Sequence, residues 1–562
     1  MQFTKLRPSS YEDFCAAFSV PVPEKFNFAF DVLDAMAEKN PDKLCIRHVD
    51  DDFVCRDQTF REVADASSRV AAALSAQGVG KGDRVMLVLY RRLEWWHALM
   101  ALHKIGAVAI PAPAQLTVKD LVFRCNKART KAVICDFTVT DRVEAARSEC
   151  PNLDLCIQVG PAPMPGGWVD YNTMLSGVPA HFPRPTDAET LACDTDPLLI
   201  FFSSGTTGMP KMVEHTHQYP LGHLFTGMYW HDLEETDIHL TVADTGWGKA
   251  VWGKSYGQWM AGAAVFVYDF RGKFNPATLL RVIAEYGVTT FCAPPTVYRF
   301  LVRENLAQYD LSRLRHCTTA GELLNESVYH AWKEVTGLPI YEGFGQTETT
   351  LQVATLPCMM PKPGSIGKPV PGWDVHVVND GGEVCLPGDE GEICIRISES
   401  HPCGLFTQYI DEPEQTAGAM RDGWYHTGDK AWIDEEGYYW FLGRVDDLIK
   451  TSGYRVGPFE VESALVSHEA VIEAAITGVS DPVRGQAIKA TIVLSPGFTP
   501  SESLTRELQD HVKRVTAPYK YPRVVEYVAE LPKTISGKIK RSEIRSRDAD
   551  GAHQDTRRVE AG

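Results

Sequence analysis

The chain has 562 residues, 44 % hydrophobic and 23 % charged, with a formal charge of −17, so it is a soluble globular protein of two or more domains. No run reaches the roughly 20 apolar residues of a membrane span, since even Arg84 to Leu116 is broken by Arg91, Arg92, Glu94 and Lys104, and the opening residues mix Lys5, Arg7, Glu12 and Asp13 with no secretory core. The 14 cysteines, Cys15 to Cys403, include no C-x-x-C pair, which points to a reducing, cytoplasmic setting, and the acidic balance disfavours nucleic acid as a partner.

In chain order, strand-like Arg84–Tyr90 precedes helix-like Leu93–Lys104. Strand-like Lys131–Asp136 and Ala263–Asp269 follow, then helix-like Pro276–Tyr286 and strand-like Val288–Cys292. Such alternation predicts parallel sheets covered by helices, with ligands gathering where strands end. The texture changes near Gly443. Helix-like Pro458–Ser467, strand-like Val471–Thr477 and Ile488–Ser495, and a helix from Pro500 then read as α+β. Thr499 is the expected cap of that helix, and Leu504, Leu508, Val512 and Val515 form its apolar stripe. The polar end from Asp548 reads as disordered. The fold class is therefore α/β. A large N-terminal domain of βαβ-type sheets with helices, residues 1–445, is followed by a small mobile α+β domain, residues 446–562.

Apolar Leu198–Phe202 runs directly into Ser203-Ser204-Gly205-Thr206-Thr207-Gly208-Met209-Pro210-Lys211. Two glycines let the backbone turn tightly and aim N–H groups at one point, hydroxyls add donors, and the lysine adds positive charge, which are the needs of a polyphosphate cradle. Composition alone favours a surface Ser/Thr/Gly turn, and the spacing is not that of a Walker A loop.

As a full string this loop resembles that of the adenylate-forming superfamily, which includes acyl-CoA synthetases, firefly-type luciferases and peptide-synthetase adenylation domains. Further segments resemble the family in its own order. Ala320-Gly321-Glu322 is similar to the adenine-contacting segment, with Leu323 where a proline is common. Tyr341-Glu342-Gly343-Phe344-Gly345-Gln346-Thr347-Glu348 looks like the second core motif, which implies Thr347 at the α-phosphate and Glu348 on Mg²⁺. Tyr425-His426-Thr427-Gly428-Asp429 and Gly443-Arg444-Val445-Asp446 resemble the ribose-binding and hinge motifs. Asp429 and Arg444 then meet ribose, and Asp446 is the hinge. Pro532 to Lys538 resembles the stretch carrying the catalytic lysine, here Lys538.

The resemblance implies an acid–thiol ligase that uses ATP, Mg²⁺ and coenzyme A to turn a carboxylic acid into an acyl-adenylate and then a thioester. Ser203 to Gly208, Lys211, Gly321, Glu322, Glu342, Gly343, Phe344, Thr347, Asp429 and Arg444 would bind ATP, and Lys211, Thr347 and Lys538 would act in catalysis. Ala243 to Lys249 and Ala517 to Arg523 look like medium-chain acyl-CoA synthetases. Acetate-specific relatives carry a tryptophan at the Gly345 position. Its absence implies an acyl pocket open to longer acids, walled by Gly321, Gly345 and Trp247. Gly453, Tyr454, Arg455, Arg484 and Lys513 match positions that meet coenzyme A. A carrier-protein-loading enzyme and a silent nucleotide-binding regulator are the rival readings.

Overall fold

A computed structural model describes residues 3–161, 163–187, 189–203, 209–398, 401–451, 454–533, 538–549 and 559–560. Two sheets share one plan. In the first, strands Leu44–Asp50, Ile238–Thr241, Ala264–Asp269, Thr290–Cys292, His316–Ala320 and Ile340–Gly345 run parallel, with antiparallel strands at the edges making nine in all. In the second, Arg84–Val88, Val108–Pro111, Ala132–Asp136, Leu155–Val159 and Pro197–Ser203 run parallel, and Lys211–Thr216 returns antiparallel beside the last of them.

The residues explain why these strands lie inside. Ala264–Asp269 is buried at all six positions and Ala132–Asp136 at all five, the unbroken burial of strands covered on both faces. Helices do the covering. Pro276–Glu285 starts on Asn275, whose side chain accepts from the Thr278 N–H, and it turns Leu279, Leu280, Val282 and Ile283 inward. Leu93–Ile105 buries both Trp95 and Trp96 between the sheets and stops at left-handed Gly106.

The Gly- and Asp-rich run after residue 421, which has no strand signature, folds into antiparallel sheet. Trp424–Ile433 pairs with Glu390–Arg396 on one side and Tyr439–Arg444 on the other. Its turn residues lie at the bends, where Asp434 accepts from the Glu436 and Tyr438 N–H groups and Gly437 takes a φ of 85°.

From Ile449 onward the strands form a separate six-stranded sheet, with its own core of Leu465, Ile476, Ile488, Leu508 and Val512 under two helices. The second helix departs from expectation. It runs Glu502–Val515 and is capped by Ser501, whose hydroxyl accepts from the Leu504 N–H, rather than by Thr499. Of the expected stripe Leu504, Leu508 and Val512 are buried, while Val515 in the last turn is 52 % exposed. Asp548 is not in a disordered tail either. It closes helix Arg541–Ala549 and, with Glu526, holds buried Lys489 at 2.5 Å, because a lysine this deep needs charged partners. Among the described residues no helix is long and apolar enough to cross a membrane, and all 14 cysteines are free thiols.

Leu508 is fully buried beneath the small sheet. Truncation to alanine is expected to destabilise that unit by about 2–5 kcal/mol, measured as a lowered denaturant midpoint of its unfolding transition.

Candidate active site

Strands Pro197–Ser203, His316–Ala320 and Ile340–Gly345 end around one cavity of about 1140 Å³. The small sheet's helices and the loop before Arg541 close its far side. Ser203, Lys211, Gly321, Glu322, Gly343, Phe344, Gly345, Thr347, Glu348, Asp429, Arg444 and Lys538 all line it. These positions are scattered over more than 300 residues of chain, and strand ends of the two large sheets, the antiparallel sheet and the small C-terminal unit bring them together. Ser203 and Lys211 are cross-strand partners on adjacent antiparallel strands. Ser204, Gly205, Thr206, Thr207 and Gly208 lie outside the described residues.

The Gln346-Thr347-Glu348 turn is held residue by residue. The Gln346 amide donates to Asp429 Oδ2 at 2.5 Å and to the Thr427 carbonyl at 2.8 Å, and it accepts from the Tyr425 hydroxyl at 2.7 Å. The Thr347 carbonyl accepts from His215 Nε2 at 2.8 Å. Burial holds the pKa of that imidazole down at about 3, so it is neutral, and the contact to a carbonyl assigns the proton to Nε2. Glu348 accepts at its carbonyl from the Phe406 N–H at 2.7 Å and at Oε1 from the Tyr409 hydroxyl at 2.9 Å. Tyr409 also lies under the Lys211 ammonium, 4.6 Å from its ring centre.

Asp429 and Arg444 face each other across adjacent strands, with Arg444 Nη1 3.3 Å from Asp429 Oδ2. Burial raises the Asp429 carboxyl to about pH 6, although the Arg444 guanidinium and the Gln346 amide pull it down. Next to it Gly428 has a φ of 72°, and a Cβ there would come within 3.0 Å of Arg444 Nη2. Glycine therefore lets the arginine lie flat against the aspartate.

Next to Lys538, Ile539 bridges Lys533 and the Lys540 N–H donates to the Pro532 carbonyl at 2.8 Å. The helix after it is fixed to the small unit by Arg541, paired with Glu462 at 2.7 Å, and Arg545, paired with Asp447 at 2.6 Å. Asn325 reaches across from the large sheet to donate to the Ser463 hydroxyl at 2.9 Å and carbonyl at 3.1 Å. The orientation that presents Lys538 to the cavity is thus supported from both sides.

Other expected residues are placed elsewhere. The Glu342 side chain points away from the cavity and accepts from the Leu324 N–H at 3.0 Å, and burial lifts its carboxyl to about 8. Trp247 does not reach the cavity lining. Its indole nitrogen is buried without a hydrogen-bond partner among the described residues. Neighbouring Lys249 instead donates to the Ala320 carbonyl at 2.7 Å, tying this segment to the end of strand His316–Ala320. The room expected beside Gly345 is already filled, because a Cβ at Gly345 would lie 2.4 Å from the Trp252 ring and 2.5 Å from the Thr350 carbonyl. Tyr454 stacks on Tyr519 at 4.2 Å, Arg484 pairs with Asp481, and Lys513 pairs with Asp510. All three stand off the cavity. Gly453 lies outside the described residues. Gln346, His215, Trp252 and Tyr409 carry no motif signature of their own outside the glutamine of the Gln-Thr-Glu string.

Comparison with known proteins agrees with this geometry. The family described as AMP-binding enzyme matches residues 33–403, and its C-terminal domain family matches 460–538. The chain belongs to the AMP-binding enzyme family. It is 44 % identical over 539 residues to the human mitochondrial acyl-coenzyme A synthetase ACSM5, covering 94 % of this chain and 91 % of that one. It is 40 % identical over 552 residues to the mitochondrial acyl-coenzyme A synthetase ACSM3 of Mus musculus, covering 96 % and 93 %. The crystal structure of an anthranilate CoA ligase in complex with anthranoyl-AMP superposes with a TM-score of 0.87 at 32 % identity, over 95 % of this chain and 99 % of that one. A benzoate CoA ligase from Burkholderia xenovorans superposes with a TM-score of 0.79 at 27 % identity, over 92 % and 100 %.

Gly345→Ala is expected to push the Trp252 ring aside and to cost about 1–3 kcal/mol of stability. A lowered melting temperature and a changed tryptophan emission spectrum would register it.

Proposed function

We propose that this chain is an acyl-coenzyme A synthetase. It joins a carboxylic acid longer than acetate to AMP and then passes the acyl group to the thiol of coenzyme A. The observation that carries the reading is the convergence of Lys211, Thr347, Glu348, Asp429, Arg444 and Lys538 on one cavity between the large and small sheets. An isolated nucleotide-binding regulator has no need of a lysine delivered by a second domain to that place. Residues 1–445 form the large domain and 446–562 the small one, with Asp446 as hinge. The free thiols fit a reducing compartment, for which the cytoplasm remains our reading.

In this reading Asp429 accepts both ribose hydroxyls, a task suited to a carboxylate with two oxygens, while Arg444 holds it in place. Thr347 donates its hydroxyl to the α-phosphate, and Lys211 offsets charge on the β- and γ-phosphates. Mg²⁺ fits Glu348, a hard oxygen donor on the cavity wall with one oxygen already anchored, and there it would neutralise charge on the triphosphate. The acid's carboxylate attacks the α-phosphorus in line and pyrophosphate leaves. Negative charge grows on the phosphoryl oxygens and the leaving group, and Lys538 sits where it stabilises that charge. The thiol then attacks the acyl carbon and AMP departs, with no side-chain nucleophile needed. Lys538 and the strand bearing Tyr454 share one domain, so its rotation about Asp446 exchanges the lysine for the thiol path lined by Gly453, Tyr454, Arg455, Arg484 and Lys513.

Trp252 sets the size of the acid from behind Gly345, and medium-chain, branched and aromatic acids are the proposed substrates. Anthranilate and benzoate ligases among the structural neighbours favour inclusion of the aromatic class. The deciding measurement is AMP release from a panel of C2 to C10, branched and aromatic acids, with and without coenzyme A. Absence of AMP with every acid would end the proposal. In the same assay Lys538→Ala is expected to slow adenylate formation by roughly 10²–10³-fold, while conversion of preformed acyl-adenylate to thioester changes little.

Asp429 also predicts a pH limb. The ribose contact needs the ionised carboxylate, so nucleotide affinity should be level above the carboxyl's value of about 6 and fall as pH drops through it. Asp429→Asn is expected to weaken binding at pH 8 by roughly 10- to 100-fold and to flatten the acid limb, as read by calorimetric titration.

A further inference from the structure

We infer that Tyr409 is a positioning residue that couples the phosphate-loop lysine to the metal-binding carboxylate, through its ring on one side and its hydroxyl on the other. The inference rests on the proposed roles of Lys211 and Glu348. Its basis is the placement of one side chain. Tyr409 belongs to the two-residue strand Gln408–Tyr409, which pairs antiparallel with Lys211–Thr216 and sets Tyr409 opposite Val213. The strand that begins with Lys211 therefore carries the tyrosine beside it. The Lys211 ammonium rests 4.6 Å from the ring centre, within cation–π range, and the hydroxyl donates to Glu348 Oε1 at 2.9 Å.

The rest of the segment makes the ring rigid. The Tyr409 N–H donates to the Thr416 hydroxyl at 2.9 Å, its ring packs on Phe406 at 4.7 Å, and Phe406 in turn holds the Glu348 carbonyl. Only 7 % of the residue is exposed. A carboxylate with one oxygen tied in this way presents the other in a fixed direction. Magnesium demands near-ideal octahedral geometry, and partners behind a ligand commonly change metal affinity 10- to 100-fold. The ring meanwhile keeps the lysine beside that carboxylate, so cation and metal ligand meet the triphosphate in a set spacing.

Calorimetric titration of Mg²⁺ into protein with non-reactive α,β-methylene-ATP tests this, well below each variant's melting midpoint. Tyr409→Phe keeps the ring and loses the hydroxyl. It is expected to raise the Mg²⁺ midpoint roughly 10-fold or more while leaving metal-free nucleotide affinity within about threefold, less than the ~1 kcal/mol worth of one ordinary hydrogen bond. Tyr409→Leu should weaken metal-free binding as well. In a Glu348→Gln background Tyr409→Phe should have no further effect on the Mg²⁺ midpoint. An unchanged midpoint in Tyr409→Phe, equal losses with and without metal, or additive effects in the double variant would overturn the inference. Failure of the parent protein to bind the nucleotide would instead sink the functional proposal itself.

Discussion

The cavity depends on how the Gln-Thr-Glu turn is restrained. Three adjacent residues leave the end of strand Ile340–Gly345, and each is bonded to a different part of the chain. Gln346 goes to the Asp429 strand, Thr347 to His215 beside the phosphate loop, and Glu348 to the Phe406–Tyr409 segment. A short turn has little stiffness of its own, since its backbone can exchange dihedral states at a cost of one or two hydrogen bonds. Three anchors on three elements remove that freedom. They also mean that Asp429, Thr347 and Glu348 share one frame, and a shift in any strand is felt at all of them.

A second constraint is desolvation. Asp429 is buried against half-buried Arg444 and Gln346, and a buried carboxylate without partners would take up a proton. The arginine and the amide limit that tendency, which keeps the group able to accept hydrogen bonds near neutral pH. Around His215 and Glu342 the same burial acts without a charged partner, and both groups are kept neutral. Charge in this site is thus confined to the few side chains that face the cavity.

The alternation of strand and helix was legible in periodicity, and Lys211, Thr347, Glu348, Asp429, Arg444 and Lys538, which line one cavity, were picked out through strings that resemble a known family. What was not legible shares one property. Tyr409 and Glu348 are 61 residues apart, His215 and Thr347 are 132 apart, and neither pairing follows from spacing or periodicity. The filling of the Gly345 hollow by Trp252 is similar, since a missing side chain says nothing about which neighbour moves in. Local propensity also set the cap of helix Glu502–Val515 only to within two residues, because Thr499 and Ser501 are both competent caps. The antiparallel sheet around Trp424–Ile433 was hidden by the turn residues that serve its bends.

Trp252 comes from a helix, whereas Gly345 ends the strand that leads into the Gln-Thr-Glu turn. Side-chain volume behind the glycine can therefore vary without disturbing the three anchors of the turn. Substitutions on that helix would remodel the packing against Gly345 while the bonds of Gln346, Thr347 and Glu348 stay in place.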